Sequence, residues 1–244
     1  MVRSVSVLIV AGWMMVTSMT PVDCTREEQS PDPFLRLRNA MVADQIAARG
    51  VRDPRVLDAM RSVPRHEFVP AALQDDAYAD TPLSIGHGQT ISQPYIVALM
   101  TELARPAPTD RALEVGTGSG YQAAVLSRLV ARVFSIELVE PLAHSAASTL
   151  QRLGFANVTV RGGDGYFGWP EEAPFDIILV TAAPEQVPEA LVAQLKPGGR
   201  LIVPVGRVFD VQDLQIIEKD RAGRTTTRSV IPVRFVPLIK KRDS

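Results

Sequence analysis

From position 111 onward, short apolar runs alternate with segments of helical period. The runs at 111–115, 132–136, 157–161, 175–180 and 200–205 predict strands. The segments at 120–130, 140–153 and 187–195 place apolar residues three and four apart and predict helices. The turn Lys196-Pro-Gly-Gly199 predicts the end of the last of these helices. Regular strand–helix alternation implies a parallel sheet covered on both faces. Two further runs, at 214–218 and 229–236, flank turn residues at 220–223 and predict antiparallel strands that complete the sheet.

The first half reads differently. Leu37, Met41, Val42 and Ile46 recur at helical spacing over 34–49, and Gly50 ends that pattern. Asp53-Pro54 forms an N-cap and first-turn pair for a helix through Met60, with Val56, Leu57 and Met60 inward and Pro64 beyond its end. Residues 65–92 are loop-rich, with Pro70, Pro82, Gly86 and Gly88, yet they carry Phe68, Tyr78, Leu83 and Ile85. A long irregular segment with that apolar content predicts a functional loop. A helix follows at 94–103, with Ser92 near its N-cap.

The N-terminus stands apart. Arg3 precedes an almost wholly apolar stretch at 5–16, and polar residues with two prolines fill 25–33. The stretch resembles a secretory signal and is too short for a comfortable transmembrane helix. Asp23 before Cys24 and the lack of an A-x-A site leave three readings open: export signal, loose anchor, or an upstream start codon. The expected organisation is a signal-like and linker segment at 1–32 and a single domain at 33–244.

Composition narrows the function. With 46% hydrophobic residues, the chain can bury one substantial core. A net charge of −1 supplies no field favouring nucleic acid or anionic lipid. Cys24 is the only cysteine, and His66, His87 and His144 are far apart, so no metal site is expected.

The chemistry concentrates in Glu114-Val-Gly116-Thr-Gly118-Ser-Gly120, between an apolar run and a helical pattern. Glycines here let the backbone bend sharply and approach a ligand. The spacing departs from the G-x-G-x-x-G of dinucleotide folds, and an acid stands just ahead of it. A carboxylate there repels phosphate and suits a cation. S-adenosylmethionine, with an ammonium, a sulfonium and no phosphate, matches. Glu137 ends the next predicted strand, placed to hold two ribose hydroxyls. Asp164, in Gly162-Gly-Asp-Gly165, follows the third, placed to accept from an adenine amino group. Thr90, Ser92 and Gln93 form a second polar cluster at a helix start, where Ser92 has an alternative role as a simple cap.

Several segments together resemble the protein-L-isoaspartate O-methyltransferases. They are Val63-Pro-Arg-His-Glu-Phe-Val-Pro70, Gln89-Thr-Ile-Ser-Gln-Pro-Tyr95, Leu113 to Gln122, Gly163-Asp-Gly165, Ala173-Pro-Phe-Asp-Ile177, Gln194 to Leu201 and Arg234-Phe-Val-Pro-Leu238. The likeness runs in unbroken order from about Met41 to Leu238. The glycine motif is shared by many methyltransferases; the Thr-Ile-Ser-Gln-Pro segment is far more specific.

The resemblance implies an α/β fold, a Rossmann-like seven-stranded class I methyltransferase sheet with helices on both faces and a small N-terminal helical elaboration. It implies methyl transfer from S-adenosyl-L-methionine to isoaspartyl residues of damaged proteins, with no metal. Ser92 is the implied active-site residue. Glu114, Gly116, Gly118, Glu137, Asp164 and Gly165 are the implied cofactor contacts. Thr90, Ile91, Gln93 and Val236 are the implied substrate contacts. A monomer in the cytoplasm, without nucleic acid or stable membrane association, is the expected setting; the N-terminus keeps a periplasmic or tethered alternative open.

Three rivals carry distinguishable features. A methyltransferase acting on nucleic-acid amines would carry an Asn/Asp-Pro-Pro-Tyr-like turn where this chain has Thr181-Ala-Ala-Pro184. A nicotinamide oxidoreductase would carry G-x-G-x-x-G. A non-catalytic sensor would bind donor without turnover.

Overall fold

The computed structural model describes residue 1, residues 32–208 and residues 210–240. The signal-like stretch and most of the linker lie outside the described residues. The chain divides into Met1–Pro33 and Phe34–Ser244; the fold below is that of the second unit.

It begins with α1 (Leu35–Ala40), which passes into a π turn at Met41–Ile46 and a 3-10 turn at Ala47–Arg49. The single helix expected over 34–49 is therefore three pieces. Within α1, Leu37 stands 47% exposed while Arg38 is buried and donates to the Tyr78 hydroxyl. Gly50 ends the segment with a left-handed φ of +98°. Helix α2 (Pro54–Ser62) starts as expected: Asp53 accepts from the Arg55 N–H at 2.9 Å.

The loop-rich stretch contains an unanticipated hairpin, β1 (Leu83–Gly86) paired antiparallel with β2 (Gln89–Ile91). Helix α3 (Pro94–Ala104) follows. Its N-cap is Gln93, with no side-chain cap bond, so Ser92 does not serve as the cap.

Then come β3 (Arg111–Val115), α4 (Tyr121–Ser127), β4 (Arg132–Glu137), α5 (Glu140–Arg152), β5 (Val158–Gly162), β6 (Phe175–Val180), α6 (Glu189–Gln194) and β7 (Leu195–Val205). The chain ends with β8 (Gln212–Lys219) and β9 (Thr225–Val233). One seven-stranded sheet runs β5-β4-β3-β6-β7-β8-β9. Its first five strands are parallel, and β8 and β9 are antiparallel, as the pattern predicts. Buried side chains form one cluster with Ala112, Val133 and Ile177 and another with Leu113, Phe134 and Ile178. Consecutive residues of one strand point to opposite faces, so these clusters are the two covered faces of the sheet.

Two boundaries differ from expectation. Strand β7 starts at Leu195, which pairs with Phe175; residues 196–199 then bulge out before Arg200 pairs with Ile177. Gly199 is needed there because a Cβ would lie 2.7 Å from the Asp176 carbonyl oxygen. Strand β9 stops at Val233, short of Val236. The chain leaves the sheet edge at that point: the Ala183 N–H donates to Val236 O, and the Leu238 N–H donates to Ala183 O. Residues 236–238 thereby cross to the end of β6.

Candidate active site

The strand order reverses direction between β3 and β6, and ligands of such sheets bind beyond the carboxyl ends of the strands at that point. Here the glycine loop leaves β3. Gly116, Gly118 and Gly120 all have positive φ, at +97°, +53° and +90°. At Gly116 the demand is also steric: a Cβ would meet Thr181 Oγ1 at 2.6 Å. Thr181 at the end of β6 donates instead to the Gly116 carbonyl. Gly165 is equally tight, because a Cβ would lie 2.3 Å from Val115 Cγ1.

Glu137 ends β4 and lines the cavity. The Gly118 N–H donates to its Oε2 at 2.8 Å and the Val139 N–H to its Oε1 at 2.9 Å. One carboxylate thus ties the glycine loop to the turn after β4. Asp164 caps the 3-10 turn Gly165–Phe167, accepting from the Tyr166 N–H at 2.9 Å. Gly165 beside it lines the cavity; the Asp164 side chain does not.

Glu114 lies elsewhere than the sequence suggests. It is fully buried beneath the loop and does not line the cavity. Ser135, its register partner on β4, donates to its Oε2 at 2.5 Å, and Ser135 Oγ lies 2.6 Å from Thr117 Oγ1. Its Oε1 is buried without a hydrogen-bond partner. Burial pushes the Glu114 carboxyl up to about 8; the Ser135 bond opposes that shift and Glu137 adds to it. Near pH 7 this group is chiefly a neutral acid, in contrast to the carboxylate that the motif alone suggests.

The linkage has a definite sign. A free glutamate ionises near 4.5 and the folded one near 8. The stability contributed by the neutral form is complete below the unfolded value and is lost as pH rises through the folded one. We expect Glu114→Gln to have a flatter pH–stability profile than the native protein from pH 5 to 9. Its relative melting temperature should climb by several degrees, at about 1.4 kcal/mol per pKa unit. Parallel melting curves across that range would contradict it.

A second cavity adjoins the first. Arg49, Gln93, Tyr95, Ile231 and Phe235 contribute to it, while Thr90, Ser92, Thr181 and Val236 line both. Ile91, Gly116 and Gly118 face only the first. The expected site residues other than Glu114 and Asp164 therefore divide between two compartments that share Ser92. Thr181 and Arg49 were not anticipated; Thr181 was findable, since it directly follows the carboxyl end of β6.

Among the described residues lining the first cavity, Glu137 carries the only formal charge, and none is a lysine or arginine. A phosphate-bearing cofactor would find no cationic side chain among them. A ligand with a sulfonium, an ammonium and two ribose hydroxyls fits its acid and its open backbone loop. Among the described residues no group of acids, histidines and cysteines could hold a metal. The sheet order and this cavity define a class I methyltransferase dependent on S-adenosylmethionine.

The profile described as "Protein-L-isoaspartate(D-aspartate) O-methyltransferase" matches residues 36–243. This chain belongs to that family. It is 61% identical over 186 residues to protein-L-isoaspartate O-methyltransferase 2 of Syntrophobacter fumaroxidans, an overlap of 76% of this chain and 75% of the relative. A solved protein-L-isoaspartate O-methyltransferase superposes with a TM-score of 0.73 at 32% identity, covering 82% of this chain and 65% of the other. The chain thus spans a little under two thirds of that solved protein. A putative Plasmodium falciparum enzyme of the same name, crystallised with S-adenosyl-L-homocysteine, gives a TM-score of 0.72 at 27% identity, covering 84% of this chain and 99% of the other.

Proposed function

We propose that this chain methylates the free α-carboxylate of L-isoaspartyl residues in damaged proteins and peptides, starting their repair. Family membership supplies the activity class. The observation that supports it in the geometry is the pair of cavities sharing Thr90, Ser92, Thr181 and Val236. A donor and a peptide can each fill one compartment and meet at that wall.

S-adenosylmethionine, when bound, supplies a methyl group already activated on a sulfonium. Glu137 would hold the ribose hydroxyls with lone pairs left over from its two backbone bonds. Asp164 and Gly165 would meet the adenine edge. Gly116 and Gly118 let the loop backbone come close. Glu114 acts from below, through Ser135 and Thr117, on the shape of that loop.

The acceptor needs no general base, because an α-carboxyl has a pKa near 3.5 and is ionised at neutral pH. The work left to the protein is alignment and exclusion of water, which can contribute on the order of 7–11 kcal/mol. The Ser92 hydroxyl, with Thr90 and Gln93 nearby, would donate to one carboxylate oxygen and leave the other free to attack. Val236 would wall the junction, and Ile91 the donor side of it. The carboxylate oxygen forms a bond to the methyl carbon as the carbon–sulfur bond breaks, and no proton moves. In the ester the neighbouring backbone nitrogen can expel methanol and close a succinimide, whose hydrolysis returns part of the population to aspartate.

We further propose a monomer working in the cytoplasm, where the donor is made, without nucleic-acid or stable membrane association. No described helix is long and apolar enough to cross a membrane. The decisive assay uses matched peptides, one with L-isoaspartate and one with aspartate, and a donor labelled in its methyl group. We expect base-labile, volatile label from the isoaspartyl peptide alone. Donor binding with no label on either peptide would reject the assigned substrate.

A further inference from the structure

Residues 80–95 form a loop closed at its base by one side chain. Asp80 precedes the β1–β2 hairpin, and Gln93 and Tyr95 follow it. The Gln93 amide Nε2 donates to Asp80 Oδ2 at 2.6 Å, and the Tyr95 N–H donates to Oδ1 at 3.3 Å. Arg49, at the end of the N-terminal helical segment, completes the knot. Its guanidinium pairs with Asp80 Oδ2 at 2.5 Å and lies over the Tyr95 ring, with Cζ 3.5 Å from the centroid.

What this base controls is functional. At the tip of the loop, the hairpin leans on the glycine motif: a Cβ on Gly118 would meet Ile85 Cδ1 at 3.3 Å. Gln89, Thr90 and Ile91 on β2 line the first cavity. Ser92, just inside the Asp80 clamp, lines both cavities and has no side-chain cap role that would fix it from the helix side. Where its backbone lies therefore decides which atoms its hydroxyl can reach. That backbone is pinned on its C-terminal flank by Asp80. A carboxylate suits the task because two oxygens can accept three donors at once.

We propose that Asp80 is a positioning residue for the methyl transfer: by clamping Gln93, Tyr95 and Arg49 it holds Ser92 at the junction of the two cavities and the hairpin over the glycine loop. This rests on the reading of the activity given above. Asp80 lines neither cavity, so it acts through its partners.

The test compares the native protein, Asp80→Asn and Asp80→Ala in the full chain. The asparagine variant keeps an oxygen for the Tyr95 N–H and, with the Gln93 amide turned over, a bond to that side chain. The alanine variant keeps neither. Asp80→Ala is expected to lose about tenfold to a hundredfold in kcat, the range that a displacement of about 1 Å can produce. Its KM for the isoaspartyl peptide should move less than its kcat, and Asp80→Asn should recover most of the loss. Hydrogen exchange, read without turnover, should speed up over residues 80–95 in the alanine variant and remain native across the sheet. An unchanged kcat in Asp80→Ala would overturn the proposal. So would a loss that asparagine does not relieve, or faster exchange spread over the whole sheet. If the native protein itself fails to methylate the isoaspartyl peptide, the activity reading fails, while the exchange comparison still tests the clamp.

Discussion

Glu137→Ala is expected to weaken donor binding about a hundredfold to a thousandfold. The Glu137 carboxylate holds the Gly118 N–H and the Val139 N–H, at 2.8 Å and 2.9 Å. Bonds to a charged acceptor contribute about 1.5–3 kcal/mol each. Removing the side chain releases two partly buried N–H donors, loosens the glycine loop and deletes the ribose acceptor together. Titration calorimetry with the donor would read the change directly. Glu137→Gln keeps one acceptor oxygen and should fall between the two. The melting temperature should drop much less than the affinity, because β4 is held on both sides by parallel neighbours. Native donor affinity in Glu137→Ala would remove this residue from the cofactor site.

The second large effect falls on Ser92→Ala, which should lower the single-turnover rate about tenfold to a hundredfold, with donor affinity nearly native. The lower part of the scale known for catalytic hydrogen-bond donors applies, for a physical reason. Donors aimed at charge that develops in a transition state contribute about a hundredfold to a thousandfold. Here an anion attacks a cation, and charge disappears as the bond forms. A hydroxyl bonded to the carboxylate therefore favours the ground state electrostatically, and its benefit is placement alone. Rapid-quench measurement with saturating isoaspartyl peptide checks this. An unaltered rate would rule out Ser92 as the group that places the acceptor.

The positions of the glycine loop, Glu137 and Asp164 at the strand ends were legible because each is encoded locally. Strand, tight turn and helix follow in order, and each acid comes just after an apolar run. The parallel sheet covered on both faces and its antiparallel end were legible for the same reason: apolar period reports which side of an element is covered. Boundaries were less so. Periodicity over 34–49 reads as one helix, yet a π turn interrupts it at Met41–Ile46, and Leu37 stands outward with Arg38 inward. That choice belongs to Tyr78, far along the chain, which accepts from Arg38. The hairpin at 83–91 was read as loop because its strands are too short to show alternation.

By itself, the sequence determined where a ligand-approaching turn and the acids at the strand ends stand, since residue type and local spacing are enough to mark them. Tertiary structure alone decided what each of them faces. Glu114 looks like a cavity carboxylate in the motif, but the pleat of β3 directs it toward Ser135, and full burial keeps it protonated up to about 8. Ser92 looks like a helix cap, but Gln93 takes that position and leaves its hydroxyl at the junction of two cavities. Asp80 showed no signal in the sequence at all. Its partners Arg49, Gln93 and Tyr95 are brought to it only when the chain folds, and a contact between distant residues leaves no local period to read.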